Sequence, residues 1–349
     1  MMKHFHEHLI SESSTIRDAL PALDRLASNA ILFVVSANGK LIGSLTDGDI
    51  RRGLIRNLSL DAGIVDFVQT NPKYILKGDY DLGYIIELRS QNINILPVVD
   101  KTNKVVNVIN LRHLKSYLPV DALVMAGGRG ARLKPLTDQI PKPLLPVGEK
   151  PIIAHNIDRL AAYGIDDFWI SVRYLAGQIE DYLGDGKEKN VRVKYIHEKE
   201  PLGTIGAITL INEWQHDYIL LTNSDILTNM DYENFFLDFQ KRGADFSVVS
   251  VPYKVDVPYA VLETKSGRIQ SFKEKPTYTY YANAGIYLMK KDVISEIPTG
   301  TFYNATDFME SLINMGKEVI TYPMTGYWLD IGSPEDYKKA QDDINYIRF

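Results

Sequence analysis

Residues 122–125, Ala-Leu-Val-Met, form an unbroken apolar run that passes directly into a glycine cluster, Gly127, Gly128 and Gly130. A short apolar run bounded by glycine reads as a strand buried on both faces. Such a strand opens here into a loop shaped for phosphate. Glycine admits positive φ and carries no side chain, so successive N–H groups can converge on phosphate oxygens. Arg132 and Lys142 follow and supply positive charge, the first as a planar fork and the second as a movable point charge. The segment has neither the GK[ST] ending of a Walker loop nor the helix-opening spacing of GxGxxG. Two readings of the loop stand at this point: a tight strand-to-helix turn, or a cradle for a nucleoside triphosphate.

From Asp121 onward, apolar runs alternate with helical patterns, which implies βαβ units and a mostly parallel sheet. DALVMA, DDFWISV, VRVKYI, YILLTN and DFSVVSV are the expected strands, and PIIAHNIDRLAAYG and TIGAITLINEW the expected helices between them. Ligands of open α/β sheets collect at the carboxyl ends of strands. The chain has 349 residues, room for two domains each with its own core. Its net charge of −5, with both signs interspersed, argues against a nucleic-acid or membrane partner. The lack of cysteine excludes disulfides and thiolate metal sites. The opening MMKHFHEHLISESS has no apolar core or cleavage pattern of a signal peptide. No run approaches the roughly 20 apolar residues of a membrane span, so a cytoplasmic protein is expected.

The run GGxGxRL followed by PKPLLPVG, with Ala131 where Thr is common, resembles the signature of sugar-1-phosphate nucleotidyltransferases. The resemblance implies a Rossmann-like, GT-A-like α/β catalytic domain over residues 119–349. It also assigns roles to later motifs. In NSDIL, Asp225 matches a Mg²⁺ ligand, and Asp330 in GYWLDIGSPEDY matches the second; a hard cation held largely by phosphate and water needs only one or two protein carboxylates. In SFKEKP, Lys275 matches the residue that holds the phosphate of a sugar 1-phosphate and Glu274 one that holds a sugar hydroxyl, while Asn283 in NAGIYLM matches a further sugar contact. EPLGTIGA resembles the loop bridging base and sugar, with Gly203 admitting close backbone approach and Thr204 starting the next helix. Read without the resemblance, Asp225 is a helix cap, Asp330 a turn residue and KEK a solvated charge run.

Glu198 stands five residues before Gly203, where thymidylyl and uridylyl relatives commonly carry Gln. A carboxylate only accepts hydrogen bonds, and guanine offers two adjacent donors where uracil and thymine offer one donor flanked by acceptors. GTP is therefore the expected nucleotide if Glu198 reaches the base; a solvent-facing Glu198 beside Lys199 leaves UTP or dTTP open.

Ahead of the glycine loop lies an internal repeat. AILFVVSANGKLIG, residues 30–43, aligns with NILPVVDKTNKVVN, residues 94–107. A helical pattern precedes the first copy, with Thr15 as N-cap and Ile16, Ala19, Leu20, Leu23 and Leu26 on one face, and LGYIIELRSQN precedes the second. This helix, strand, strand, helix duplicate resembles an α+β tandem CBS domain pair over residues 1–118. By that resemblance Thr46 and Asp49 match positions that hold a nucleotide ribose, with AMP or ATP as ligand, while Asn110 and His113 break the pattern in the second copy. TDGD also reads as a turn with a helix cap. Tyr117, Leu118 and Pro119 form the expected hinge between domains, and a homo-oligomer is expected by family analogy.

The resemblance implies attack by the sugar 1-phosphate on the α-phosphorus of the nucleotide with loss of pyrophosphate. By that resemblance Arg132 would steady the leaving pyrophosphate, Lys142 the phosphates around the reacting centre, and Asp225 and Asp330 would hold a Mg²⁺ between the nucleotide and sugar phosphates. Best among the sugars is glucosamine 1-phosphate, with mannose and heptose 1-phosphates open. The competing reading of another class is an adenine-nucleotide sensor built on the CBS pair, with an inactive transferase fold.

Overall fold

The computed structural model describes residues 5–347; residues 1–4 of the opening segment lie outside it. The chain divides into two compact units, residues 1–120 with 160–167 and 184–193, and residues 121–159 with 168–183 and 194–349.

The first unit builds the repeat twice. Leu9–Ser11 pairs parallel with Leu32–Val35, which pairs antiparallel with Leu41–Leu45; Ile75–Leu76, Ile95–Val99 and Val105–Asn110 repeat that pattern. The duplication extends to an irregularity, because the register shifts between Val34 and Val35 and again between Val98 and Val99. These positions align in the sequence repeat. Helix Ile16–Leu26 opens on a capping box between Thr15 and Asp18 and buries Ile16, Ala19 and Leu23. Leu20 departs from the expected face and is 38% exposed.

The two copies diverge at their last element. The first ends in helix Asp47–Ile55, opened by a capping box in which Thr46 and Asp49 bond each other's backbone N–H. In the second, residues 111–119 form turns and irregular chain rather than the expected helix. His113 has no carboxylate to complete a capping box. The Asn110 side chain instead accepts from Arg112 N and donates to Asn29 Oδ1. At the expected hinge, Tyr117 and Leu118 are packed into the first unit. Tyr117 and Leu118 are 6% and 2% exposed, Tyr117 stacks on Tyr80, and Leu118 N–H donates to the Tyr163 carbonyl. Apolar residues with satisfied backbone groups make a packed segment instead of a flexible one.

The second unit is built on a seven-stranded sheet, in the order Arg192–His197, Asp167–Val172, Val120–Met125, Tyr218–Asn223, Thr277–Lys290, Phe246–Asp256, Val319–Pro323. It is the mostly parallel α/β sheet the sequence implies, with Thr277–Lys290 running antiparallel to both of its neighbours. Helices Ile152–Ala162, Ala176–Leu183, Tyr232–Lys241 and Ala305–Asn314 join its strands. The run that announced the fold is an interior strand, with residues 120–124 buried. On one face Leu123, Ile219, Leu221, Phe246, Met289, Phe308 and Leu312 form the main core. Phe308 is fully buried and meets Phe246 edge-on at a centroid distance of 5.6 Å. Phe308→Ala is expected to cost about 3–5 kcal/mol of stability, measured by urea unfolding.

TIGAITLINEW departs from expectation, since only Gly206–Leu210 is helical and there as a 3₁₀ turn. Its β-branched residues disfavour an α-helix, and Thr204 accepts from Ala305 N–H instead of starting a helix. Strands Phe246–Asp256 and Thr277–Lys290 run on past the core as an exposed ribbon, beside the exposed hairpin Val261–Lys265 and Arg268–Lys273. Among the described residues no helix is long and apolar enough to cross a membrane.

Candidate active site

The glycine loop leaves the carboxyl end of Val120–Met125 and borders a cavity of about 240 Å³. Gly127, Gly128, Lys142, Glu198, Gly203, Thr204 and Asp225 all line it. Their segments follow three strands of the sheet, so residues nearly a hundred positions apart in sequence meet at one edge.

The loop's glycines act differently from one another. Only Gly130 has positive φ, +61°, and a Cβ there would lie 2.9 Å from Lys142 Cβ. Gly127 is small for another reason, because a Cβ would come within 2.9 Å of Glu198 Oε1. Gly203 combines both constraints, with φ +74° and a Cβ that would lie 2.4 Å from the Tyr303 carbonyl oxygen.

Glu198 is 8% exposed, so it is not a solvent-facing residue beside Lys199. Ser171 Oγ donates to its Oε1 at 2.5 Å, and Leu202 N–H donates to its Oε2 at 3.0 Å. An ionised carboxylate has about four acceptor positions, so each oxygen of this cavity-lining residue retains unused acceptor capacity.

Asp225 and Asp330, over a hundred residues apart, are brought together by the antiparallel pairing of Ile226–Thr228 with Trp328–Asp330. Ile331 N–H donates to the Asp225 carbonyl oxygen at 3.0 Å. Leu133, Leu227, Leu329 and Ile331 pack beneath this pair as a second core, which fixes the two segments. Lys142 forms an ion pair with Asp225 Oδ2. Burial and the neighbouring Asp225 push the Asp330 carboxyl above its usual range, while Lys142 and Arg132 pull it back. Arg132 lies against the same loop, since a Cβ on Gly332 would be 3.1 Å from its Nη2. Among the described residues, Asp225 Oδ1 and Asp330 Oδ1 are buried without a hydrogen-bond partner. Paired carboxylates with orphaned oxygens are suited to a hard divalent cation.

The sugar-side residues do not join this group. Glu274 and Lys275 lie exposed between Arg268–Lys273 and Thr277–Lys290. Asn283 is exposed and bonds along its own strand, donating to Tyr287 Oη and accepting from Gly285 N–H, each at 2.9 Å. In the first unit, Thr46 Oγ1 donates to Asp49 Oδ2 at 2.6 Å and Arg52 donates to Asp49 Oδ1 at 2.6 Å. These side chains serve the helix cap. A larger cavity of about 560 Å³ in that unit is lined by Lys73, Tyr74, Tyr80 and Tyr84 and includes neither Thr46 nor Asp49.

Three residues went unread in the sequence. Arg173 lines the cavity just past the carboxyl end of Asp167–Val172, a position its place after an expected strand could have flagged. Ser171 has no motif around it and is found only through its bond to Glu198. Asn156 donates to the Ser224 carbonyl at 3.1 Å, next to Asp225, from helix Ile152–Ala162.

Comparison with known proteins supplies the relatives of both units. The nucleotidyl transferase family model matches residues 121–346 and the CBS domain model residues 2–56. A mannose-1-phosphate guanylyltransferase of Mycobacterium tuberculosis is 33% identical over 234 residues, 64% of this chain. The chain spans 64% of that relative's length. The solved structure of a putative glucose-1-phosphate thymidylyltransferase from Bacillus anthracis, in complex with a sucrose, superposes with a TM-score of 0.53 and 26% identity, covering 66% of this chain and 97% of the other. HddC from Yersinia pseudotuberculosis complexed with GMP-PN superposes with a TM-score of 0.50 and 28% identity, covering 64% and 99%.

Proposed function

Because this chain belongs to the nucleotidyl transferase family, we propose that it transfers GMP from GTP to a sugar 1-phosphate, giving a GDP-sugar and pyrophosphate. The observation that carries this reading is the convergence of the glycine loop, Lys142, Glu198 and Asp225 on one cavity beside Asp330. The guanylyltransferase relative and the GMP-PN complex of a structural neighbour support the choice of base.

The chemistry follows from the side chains. An oxygen of the sugar 1-phosphate attacks the α-phosphorus of GTP; the bond from that phosphorus to the oxygen bridging the α and β positions breaks, and pyrophosphate leaves with the electron pair. The attacking phosphate is already ionised, so no protein base is needed, and catalysis is positioning with charge stabilisation. Gly127 and Gly128 allow the triphosphate to lie against the backbone. Arg132 and Lys142 take up phosphate charge, and Glu198 accepts from the two donors of guanine. Asp225 and Asp330, whose Oδ1 atoms have no partner among the described residues, would hold Mg²⁺, which when bound supplies charge neutralisation for the phosphates. Lys275, Glu274 and Asn283 are assigned to the sugar phosphate by motif, with glucosamine 1-phosphate as the first candidate.

The test is pyrophosphate release with Mg²⁺ across GTP, ATP, UTP and dTTP, each against glucosamine, mannose, glucose and heptose 1-phosphates. Release with GTP and at least one sugar 1-phosphate is expected. No release with any pair refutes the activity, and release only with UTP or dTTP refutes the assignment of Glu198.

A further inference from the structure

We propose that Lys142 is a placeholder for the divalent cation: it neutralises Asp225 through their ion pair and passes to the nucleotide phosphates when a metal ion takes that carboxylate. This rests on the metal site proposed above and adds an order of exchange to it.

The ion pair of Lys142 with Asp225 Oδ2 is sheltered, with side-chain exposures of 10% and 23%. Asp330 stands directly across the strand pair from Ile226, and its carboxyl feels the charges of both Asp225 and Lys142. The Lys142 ammonium meets one oxygen of Asp225, while Asp225 Oδ1 and Asp330 Oδ1 stay buried with no partner among the described residues. A monovalent lysine thus compensates the pair only in part. A divalent cation that reaches both inner oxygens has more to gain there than the lysine, and the two cannot share Asp225 Oδ2 without like-charge repulsion.

The loop is built for such an exchange. Lys142 opens the turn Lys142–Leu144 with a proline on each side, Pro141 and Pro143. Its Cβ packs against Gly130, which has no room for a side chain. The base of Lys142 is held, and its four-carbon stem can swing the ammonium group. The cavity it lines is shared with Gly127 and Gly128, where the phosphates are placed by the reading above. Metal and nucleotide therefore help each other: the metal frees Lys142 for phosphate, and phosphate draws Lys142 off Asp225. By linkage the two effects are equal in magnitude.

The test measures Mn²⁺ affinity from the electron paramagnetic resonance of free Mn²⁺, in full-length protein without nucleotide. Lys142→Met is expected to bind Mn²⁺ at least about fivefold more tightly than wild type, the low end of ordinary site-to-site coupling. Lys142→Arg, which keeps a cation on Asp225, is expected to stay near wild type. Adding α,β-methylene GTP is expected to tighten Mn²⁺ binding more in wild type than in Lys142→Met. Equal or weaker Mn²⁺ binding by Lys142→Met overturns the placeholder and leaves the metal site standing. Absence of Mn²⁺ binding to both proteins overturns the metal site itself. Should Lys142→Met fail to fold, wild type decides by NMR of lysine ¹⁵Nζ groups. Loss of the ion-paired ammonium signal on adding Mg²⁺ supports the exchange, and its persistence refutes it.

Discussion

Asp225→Ala is expected to lower nucleotidyl transfer by a factor on the order of a hundred to a thousand, the range seen when one preorganised electrostatic group is lost from an active site. Asp225 is the junction of the site: its carboxylate pairs with Lys142, its carbonyl accepts from Ile331, and the segment beginning at Ile226 pairs with the strand carrying Asp330. Removing the side chain takes away a metal ligand and leaves the Lys142 ammonium without its partner in a sheltered position. Asp225→Asn separates charge from shape, because it keeps the volume and loses the anion. A comparable loss of pyrophosphate release in Asn and Ala variants, with circular dichroism unchanged, locates the effect in the charge. Turnover near wild type in both would remove Asp225 from the chemistry.

Glu198→Gln is expected to erode the preference for GTP over UTP by about 10- to 100-fold in kcat/KM, from the roughly 1–3 kcal/mol that a two-point base contact is worth. The surroundings of Glu198 dictate how a glutamine would sit. Leu202 N–H donates to Oε2 and requires an acceptor there, whereas the Ser171 hydroxyl at Oε1 can either donate or accept. The amide oxygen would face Leu202 and the amide nitrogen Ser171. Toward the cavity the residue would then present one acceptor and one donor, which suits uracil or thymine and leaves one guanine donor facing an N–H. Steady-state kinetics with GTP, UTP and dTTP measure the change. An unaltered GTP preference would mean that Glu198 braces the loop through Ser171 and Leu202 without reading the base.

The fold was largely legible because its signals are local. An apolar run ending in glycine marked the interior strand Val120–Met125, and alternating apolar and amphipathic segments marked the sheet. The repeat was legible as an alignment of residues 30–43 with 94–107, and the structure added matching register shifts at Val34/Val35 and Val98/Val99. Besides the missing last helix of the second copy and the exposed Leu20, departures came where local rules met packing. TIGAITLINEW carries enough apolar residues for a helix, but β-branched crowding and the bond from Ala305 N–H to Thr204 hold it in a short 3₁₀ turn. Tyr117–Pro119 looked like a linker by position, and its apolar side chains packed instead.

The amino-acid sequence by itself determined the family and the identities of most charged groups, since those depend on which residues are present and in what local order. Tertiary structure alone decided which of them work together. It set Asp330 beside Asp225 through a strand pair, laid Glu198 against Gly127 and bonded it to Ser171, and paired Lys142 with the Asp225 carboxylate. It also put Thr46 and Asp49 into a helix cap and left Glu274 and Lys275 on an exposed turn. The physical reason is that a motif fixes donors, acceptors and charges, whereas the partner each one meets depends on strand order and on where buried groups must be satisfied.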